Sequence, residues 1–252
     1  AVLASNRAAK ELTAPCRHPQ AAVRIAGKLK TDSYRELPSY HNNYSPEAKK
    51  IIYDGTVDLI NRKVLVKADR AKCKALVNWV LVRKEGREVR MCIDSVNFNK
   101  HLKPVATELT TADQLFKRLK RNGFQFISAL DISKAYFCLP FAEEDIGALY
   151  VMHDNEPWAF ARSPFGLSFL PMHFTLIFVV FFSDLIQQEK ILVYFDDILV
   201  LSKTLEEHAE LLQEVIRRLN KYNFPLNIDK CKFAFKRLKY LGMIIDHKDM
   251  YP

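Results

Sequence analysis

Apolar and polar positions are patterned unevenly along the chain. Residues 1–40 show weak periodicity broken by Pro15, Pro19 and Pro38, and read as an arm with at most one short helix. Ser45-Pro46-Glu47-Ala48 starts a helix, with proline at its first position. Ala75–Lys84 and Glu88–Asp94 are β-rich and flank a Glu85-Gly86-Arg87 turn, predicting a hairpin with Arg83, Lys84, Arg87 and Arg90 near its tip. Thr111-Ala112-Asp113 caps a helix through Lys120 that Asn122-Gly123 ends, and Phe124–Leu130 is a buried strand terminating at Asp131. A strand pair follows around Ala148–Met152 and Trp158–Arg162, and Gly166 opens an apolar helix within Phe169–Ile186. Ile191–Phe195 and Ile198–Leu201 are apolar runs separated only by Asp196-Asp197, a hairpin whose turn holds two adjacent carboxylates. Thr204 and Glu207 form a capping box for a helix to about Lys221, with Leu205, Ala209, Leu212, Ile216 and Leu219 on its apolar stripe. Tyr240–Ile245 is a closing strand. Strand, helix, hairpin, helix, strand is the order of the back half, which suits an α+β fold with helices on one face of a sheet.

Composition narrows the class. A chain of 252 residues that is 49% hydrophobic can bury a sizeable core. Five scattered cysteines without a C-x-x-C pair argue against a disulfide scaffold or zinc module and favour a reducing compartment. The opening residues lack an apolar leader, and no run of 18 apolar residues occurs, so an intracellular protein without membrane association is expected. Charge is lopsided: 25 basic and 12 acidic side chains lie up to Arg121, 13 and 17 beyond it. A basic front half suits a polyanion such as nucleic acid; the plainer reading is a solvated surface.

Aspartates favour turns for ordinary reasons. Here, though, the turn projects from almost wholly apolar strands, where adjacent carboxylates repel. A divalent cation resolves that conflict, because magnesium takes hard oxygen ligands. Asp131, at the end of another buried strand, is the natural third carboxylate. Two such ions about 4 Å apart can activate a hydroxyl and stabilise a leaving phosphate oxygen.

These residues resemble a family. Ala129-Leu130-Asp131-Ile132-Ser133-Lys134-Ala135-Tyr136-Phe137 is similar to polymerase motif A of reverse transcriptases. Ser163-Pro164-Phe165-Gly166-Leu167, with Pro171 and Phe174, resembles motif B of gypsy-type long-terminal-repeat retrotransposons and retroviruses, and Tyr194-Phe195-Asp196-Asp197 the Y-x-D-D box of motif C. Leu226-Asn227 with Lys230-Cys231-Lys232-Phe233 is similar to motif D, Leu241-Gly242 to the start of the primer-grip hairpin, and Arg90–Asp94 with Asn99-Lys100 to the nucleotide-binding fingers segment. Val89 stands where the family usually has tryptophan, and Asp94-Ser95-Val96 where it has D-Y-R.

The resemblance implies a right-hand polymerase fold of fingers and palm, the palm a ferredoxin-like antiparallel sheet. It divides the chain into an N-terminal arm (1–44), fingers (45–106 and 139–164) and palm (107–138 and 165–252), with no thumb, connection or RNase H domain. It implies an RNA-directed DNA polymerase that adds dNTPs to a primer 3′-OH on an RNA or DNA template. Asp131, Asp196 and Asp197 would hold two Mg²⁺ or Mn²⁺ ions, the second with help from the Ile132 backbone. Tyr136 would sit under the dNTP sugar. Arg90, with Arg83 or Lys84, would hold the triphosphate, while Phe165 and Gly166 pack on nucleotide and template. Lys230 or Lys232 is the candidate general acid, and Leu241 and Gly242 the primer grip. The apolar helix over residues 174–186 invites a covering protein subunit. Cytoplasm, nucleus or virus-like particle would be its setting. The competing readings are a co-opted, catalytically idle domain that binds nucleic acid or a protein partner, and a two-metal nuclease, which leaves Tyr136 and the fingers hairpin unexplained.

Overall fold

Proline fixes the backbone angle that a first helical turn needs, and a serine ahead of it supplies an acceptor for an orphan amide. So it is at Ser45-Pro46, where Ser45 Oγ accepts from the Ala48 amide and opens α1 (Pro46–Asn61). The computed structural model describes residues 15–25, 28–30, 44–83, 89–103, 111–133, 135–247 and 249–251. After α1 come β1 (Leu65–Lys67), β2 (Ala75–Leu76), β3 (Asn78–Val82), β4 (Arg90–Asp94), α2 (Val96–Lys100), α3 (Ala112–Asn122) and β5 (Phe126–Asp131). Then follow β6 (Leu149–His153), β7 (Glu156–Phe160), α4 (Leu170–Phe181), α5 (Ser183–Gln187), β8 (Ile191–Tyr194) and β9 (Asp197–Ser202). The last elements are α6 (Leu205–Lys221), β10 (Lys232–Phe235), β11 (Arg237–Tyr240), β12 (Met243–Asp246) and β13 (Met250–Tyr251).

The described residues fall into two compact units, one within Leu12–Val105 and Tyr136–Leu170, the other within Ala106–Ala135 and Pro171–Pro252. The first unit carries a sheet of order β1-β7-β6-β2 and a β3–β4 hairpin. Its expected first hairpin strand is in fact two: Ala75 and Leu76 run parallel to β6, and pairing passes to β4 only from Asn78, opposite Asp94. The chain changes sheet at Val77, whose amide still donates to the Tyr150 carbonyl. The expected hairpin tip, including Lys84 and Arg87, lies outside the described residues. So does most of the expected arm. Of its described part, Val23 bridges Phe141 and the Ile25 amide donates to Asp145 Oδ2 at 2.8 Å.

The second unit is built on a sheet of order β10-β5-β9-β8, beside a three-stranded β11-β12-β13 sheet. Thr111 and Gln114 close a full capping box on α3, and Gly123 ends it in the left-handed region (φ 68°), as Asn122-Gly123 predicts. Side chains of Ile127, Leu192, Leu199 and Leu201 form one core with Leu115 and Leu119 of α3 and with Leu238, Tyr240 and Ile245. The opposite face of β5 and β9 meets α6. Ser128 Oγ lies 2.6 Å from His208 Nε2, and Ser202 Oγ lies 2.8 Å from His208 Nδ1. Ser202 spends its one proton on the Thr204 carbonyl, so Nδ1 must carry the imidazole proton and Nε2 accepts from Ser128. Burial lowers the His208 pKa, keeping the ring neutral. Helices thus flank the sheet on both faces, α6 on one and α3 on the other.

That histidine corrects the expected stripe of α6. His208, Leu211, Val215, Ile216 and Leu219 are buried, while Ala209 is exposed and Leu205 is 51% exposed. The buried stripe runs through Leu211 and Val215, and His208 joins it because Ser128 and Ser202 give both ring nitrogens a partner. The apolar helix also differs from expectation, starting at Leu170 and breaking at Phe182 (φ −124°), whose buried ring stacks on Phe178. Phe174 and Phe178 turn inward onto Phe224, whereas Leu176, Val179 and Val180 are exposed. No helix among the described residues is long and apolar enough to cross a membrane.

Candidate active site

Antiparallel register sets the central geometry. Asp131, the last residue of β5, lies directly opposite Asp197, the first of β9, and Tyr194 flanks Asp197 on the other side. Side chains directly opposite share a face, with Cβ atoms about 5 Å apart. The hairpin turn is therefore Phe195-Asp196, not Asp196-Asp197: one carboxylate stands exposed at the tip and the other begins a strand, half-buried. Phe195 takes φ 55° at the first loop position, which tight hairpins usually give to glycine. Such strain in an L-residue costs roughly 1–2 kcal/mol, and the deeply buried strands on either side impose it.

A turn from the far end of the chain grips the same strand end. Leu226 bridges Ile132, the Ser133 amide donates to the Pro225 carbonyl at 2.8 Å, and the Asn227 amide donates to the Asp131 carbonyl at 2.8 Å. The Asp131 amide donates to Cys231 Sγ at 3.3 Å. Lys230 Nζ stands 4.0 Å from Asp131 Oδ2, whereas Lys232 Nζ donates to the Lys239 carbonyl. Of the two lysines, only Lys230 faces the acids.

Electrostatics show the conflict. Burial pushes the Asp197 carboxyl up to about 6, and Asp196 and Asp131 add to the rise; a hydrogen bond from Tyr240 and the charge of Lys230 oppose it. Tyr240 Oη donates to Asp197 Oδ2 at 3.0 Å, and burial holds its phenol well above the ordinary range. The Cys231 thiol is likewise raised to about 11, chiefly by burial. Hard carboxylate oxygens gathered at adjoining strand ends are the right donors for Mg²⁺ or Mn²⁺. Among the described residues, however, no group of three or more His, Cys, Asp or Glu side chains is assembled to hold a metal ion.

The candidates Arg83, Arg90, Tyr136, Phe165 and Gly166 belong to the first unit. Tyr136 and Phe165 meet edge to face at 5.0 Å, and Phe137 approaches the same ring at 5.5 Å. Gly166 has φ 116°, and its carbonyl accepts from Ser95 Oγ at 2.7 Å and Asn99 Nδ2 at 2.8 Å. A side chain there would meet Ser95 Oγ at 2.7 Å, so close approach requires the glycine. Arg90 is exposed opposite Val82, and Arg83 is exposed just beyond. In the second unit, Leu241 (φ 49°) and Gly242 (φ 82°) form a two-residue turn between Tyr240 and Met243, so the expected closing strand is a hairpin. Sequence reasoning missed Tyr240 and Cys231 as site residues. Their signal is slight, a phenol just before a turn and a thiol beside a candidate general acid.

A family model described as "Reverse transcriptase (RNA-dependent DNA polymerase)" matches residues 82–245. The chain belongs to this reverse transcriptase family. It is 30% identical over 187 residues to "Uncharacterized protein K02A2.6" of Caenorhabditis elegans, covering 73% of this chain and 14% of that protein. Over 170 residues it is 27% identical to "Transposon Tf2-7 polyprotein" of Schizosaccharomyces pombe, covering 68% and 12%. The chain thus spans about an eighth of the length of these curated relatives. Among solved structures it resembles the foamy viral protease–reverse transcriptase in complex with RNA/DNA hybrid, at TM-score 0.77 and 21% identity over 94% of this chain and 30% of that one. The same viral protein in complex with dsDNA gives TM-score 0.72 at 21% identity, over 92% and 44%. The family fold of fingers and palm is the fold of this chain, and its kin are the polyproteins of long-terminal-repeat retrotransposons and retroviruses.

Proposed function

We propose that this chain is a nucleic-acid-binding domain of the reverse-transcriptase type that engages a template–primer duplex. The likeness in fold to a viral enzyme held with RNA/DNA hybrid carries this reading. The net charge of +9, concentrated in the front half, supports it, because phosphate contacts dominate such binding. In this reading the unit with β5 is palm, the unit with the β3–β4 hairpin is fingers, and the exposed Leu176, Val179 and Val180 support a covering protein subunit. Binding asks nothing of the carboxylates beyond the arrangement present.

A second reading, RNA-directed DNA polymerase, is favoured by the register that sets Asp131 against Asp197 with Asp196 at the adjoining tip. In it these three carboxylates hold two Mg²⁺ or Mn²⁺ ions, the second with the Ile132 backbone, and the ions supply the charge stabilisation phosphoryl transfer needs. Lys230, the lysine facing Asp131, donates a proton to departing pyrophosphate. Arg83, Lys84 and Arg90 bind the triphosphate, Tyr136 bears on the sugar, Phe165 and Gly166 shape the nucleotide contact, and Leu241 and Gly242 touch the primer.

One experiment separates the two. Template–primer binding is measured by fluorescence anisotropy, beside extension on an RNA template with dNTPs and Mg²⁺ or Mn²⁺, for the unsubstituted chain and an Asp196→Asn/Asp197→Asn variant. Binding with extension that vanishes in the variant establishes the polymerase. Binding without extension leaves the binding domain, and absence of binding sinks both.

A further inference from the structure

We propose that Tyr240 is a positioning residue for Asp197, its hydroxyl fixing the carboxylate in the orientation that a divalent cation requires. The proposal rests on reading Asp131, Asp196 and Asp197 as cation ligands. Asp197 has its backbone set on both sides, by Asp131 across β5 and Tyr194 across β8. Only its side-chain torsions remain to be fixed. Tyr240 Oη reaches Oδ2 at 3.0 Å from 43 residues away, which directs Oδ1 away from β11.

The phenol itself is firmly held. Tyr240 is 9% exposed, and its ring belongs to the core with Ile127, Leu199 and Leu238. Its backbone pairs with Met243 across the Leu241-Gly242 turn. A rigid donor on a half-buried carboxylate is the outer-shell arrangement that orients metal ligands, and losing such a partner typically weakens metal binding 10–100-fold. Packing is the work of the ring. The hydroxyl adds direction, and Tyr240→Phe removes it alone. The hairpin assigned to the primer grip and the carboxylate of the Y-x-D-D box are thereby joined through one hydrogen bond.

Mn²⁺ binding to the full chain, followed by electron paramagnetic resonance of free Mn²⁺, tests this without any turnover. Asp131→Asn, Asp197→Asn, Tyr240→Phe and Tyr240→Phe/Asp197→Asn are compared, with thermal melts for each. The expected result is about tenfold weaker binding in Tyr240→Phe with an unchanged melt, and no further loss on adding it to Asp197→Asn. Unchanged affinity in Tyr240→Phe, an equal loss in the Asp197→Asn background, or loss of the fold would overturn the proposal. If the unsubstituted chain shows no Mn²⁺ binding sensitive to Asp131→Asn, the metal-site reading falls and this proposal with it. Asp131-dependent binding that ignores Tyr240 removes this proposal alone.

Discussion

Strands β5 and β9 carry polar groups on both faces, and the faces treat them in opposite ways. Against α6, Ser128, Ser202 and His208 form a closed neutral set, completed by the Ala234 amide donating to Ser128 Oγ at 2.9 Å. A local irregularity makes that last bond possible: two residues of β10, one of them Ala234 at φ 55°, oppose the single Ser128. On the other face Asp131 and Asp197 confront each other with like charge, and the neighbouring Asp196 worsens it. A satisfied buried network stabilises and specifies a packing. A cluster of like charges lowers stability. The same two strands thus divide their labour by side-chain parity.

Breaking the quiet face should cost most. His208→Ala leaves the Ser128 proton without its acceptor and Ser202 Oγ without its donor, beside a cavity, and is expected to lower stability by about 3 kcal/mol in urea melts, with Mn²⁺ binding unchanged. A loss under 1 kcal/mol would mean that water replaces the imidazole and that the two faces are not so different.

Relieving the other face should help. Because the folded-state pKa of Asp197, about 6, lies above the ordinary 3.8, its carboxyl favours folding while protonated. That contribution is lost as pH rises from about 4 through 6. Asp197→Asn should therefore gain on the order of 2 kcal/mol at pH 7 and nothing at pH 4, while losing any metal-dependent extension. Equal stabilities at pH 7 would remove the frustration from the account. Asp184 and Glu214 run the other way: hydrogen bonds from arginines hold each near 2, so they favour folding above the ordinary carboxylate range and lose that contribution as pH falls toward 2.

The smallest effect sharpens the contrast further. Phe195→Gly releases the left-handed strain but adds chain entropy to the unfolded state, so a net gain of about 0.5 kcal/mol is expected. A net loss would show that the Phe195 ring, 4.7 Å from that of Tyr194, outweighs the strain.

Much of this was legible beforehand. Asp131 at a strand end, the hairpin of the Y-x-D-D box, the Thr111 cap with Gly123 behind it and the proline-led α1 all follow from local rules about turns and termini. What escaped was non-local. Nothing near His208 says that two sheet hydroxyls will partner its ring on the buried face. Val77 looks like any strand valine, yet the chain changes partners there. The turn slipped by one residue to Phe195-Asp196 because pairing with Asp131 recruits Asp197 into β9, a choice made by a strand more than sixty positions upstream.

The grip on Asp131 has a consequence for synthesis. Cys231 stands 100 residues downstream of it, and Asn227 scarcely nearer. β5 is a central strand whose two neighbours, β9 and β10, both leave the ribosome after it. Until they emerge, its amides and carbonyls stand open on both edges, a template for pairing with the wrong chain. Folding of this unit therefore waits until β10 has left the ribosome, and the chain is most open to mispairing while β5 is out and β10 is not.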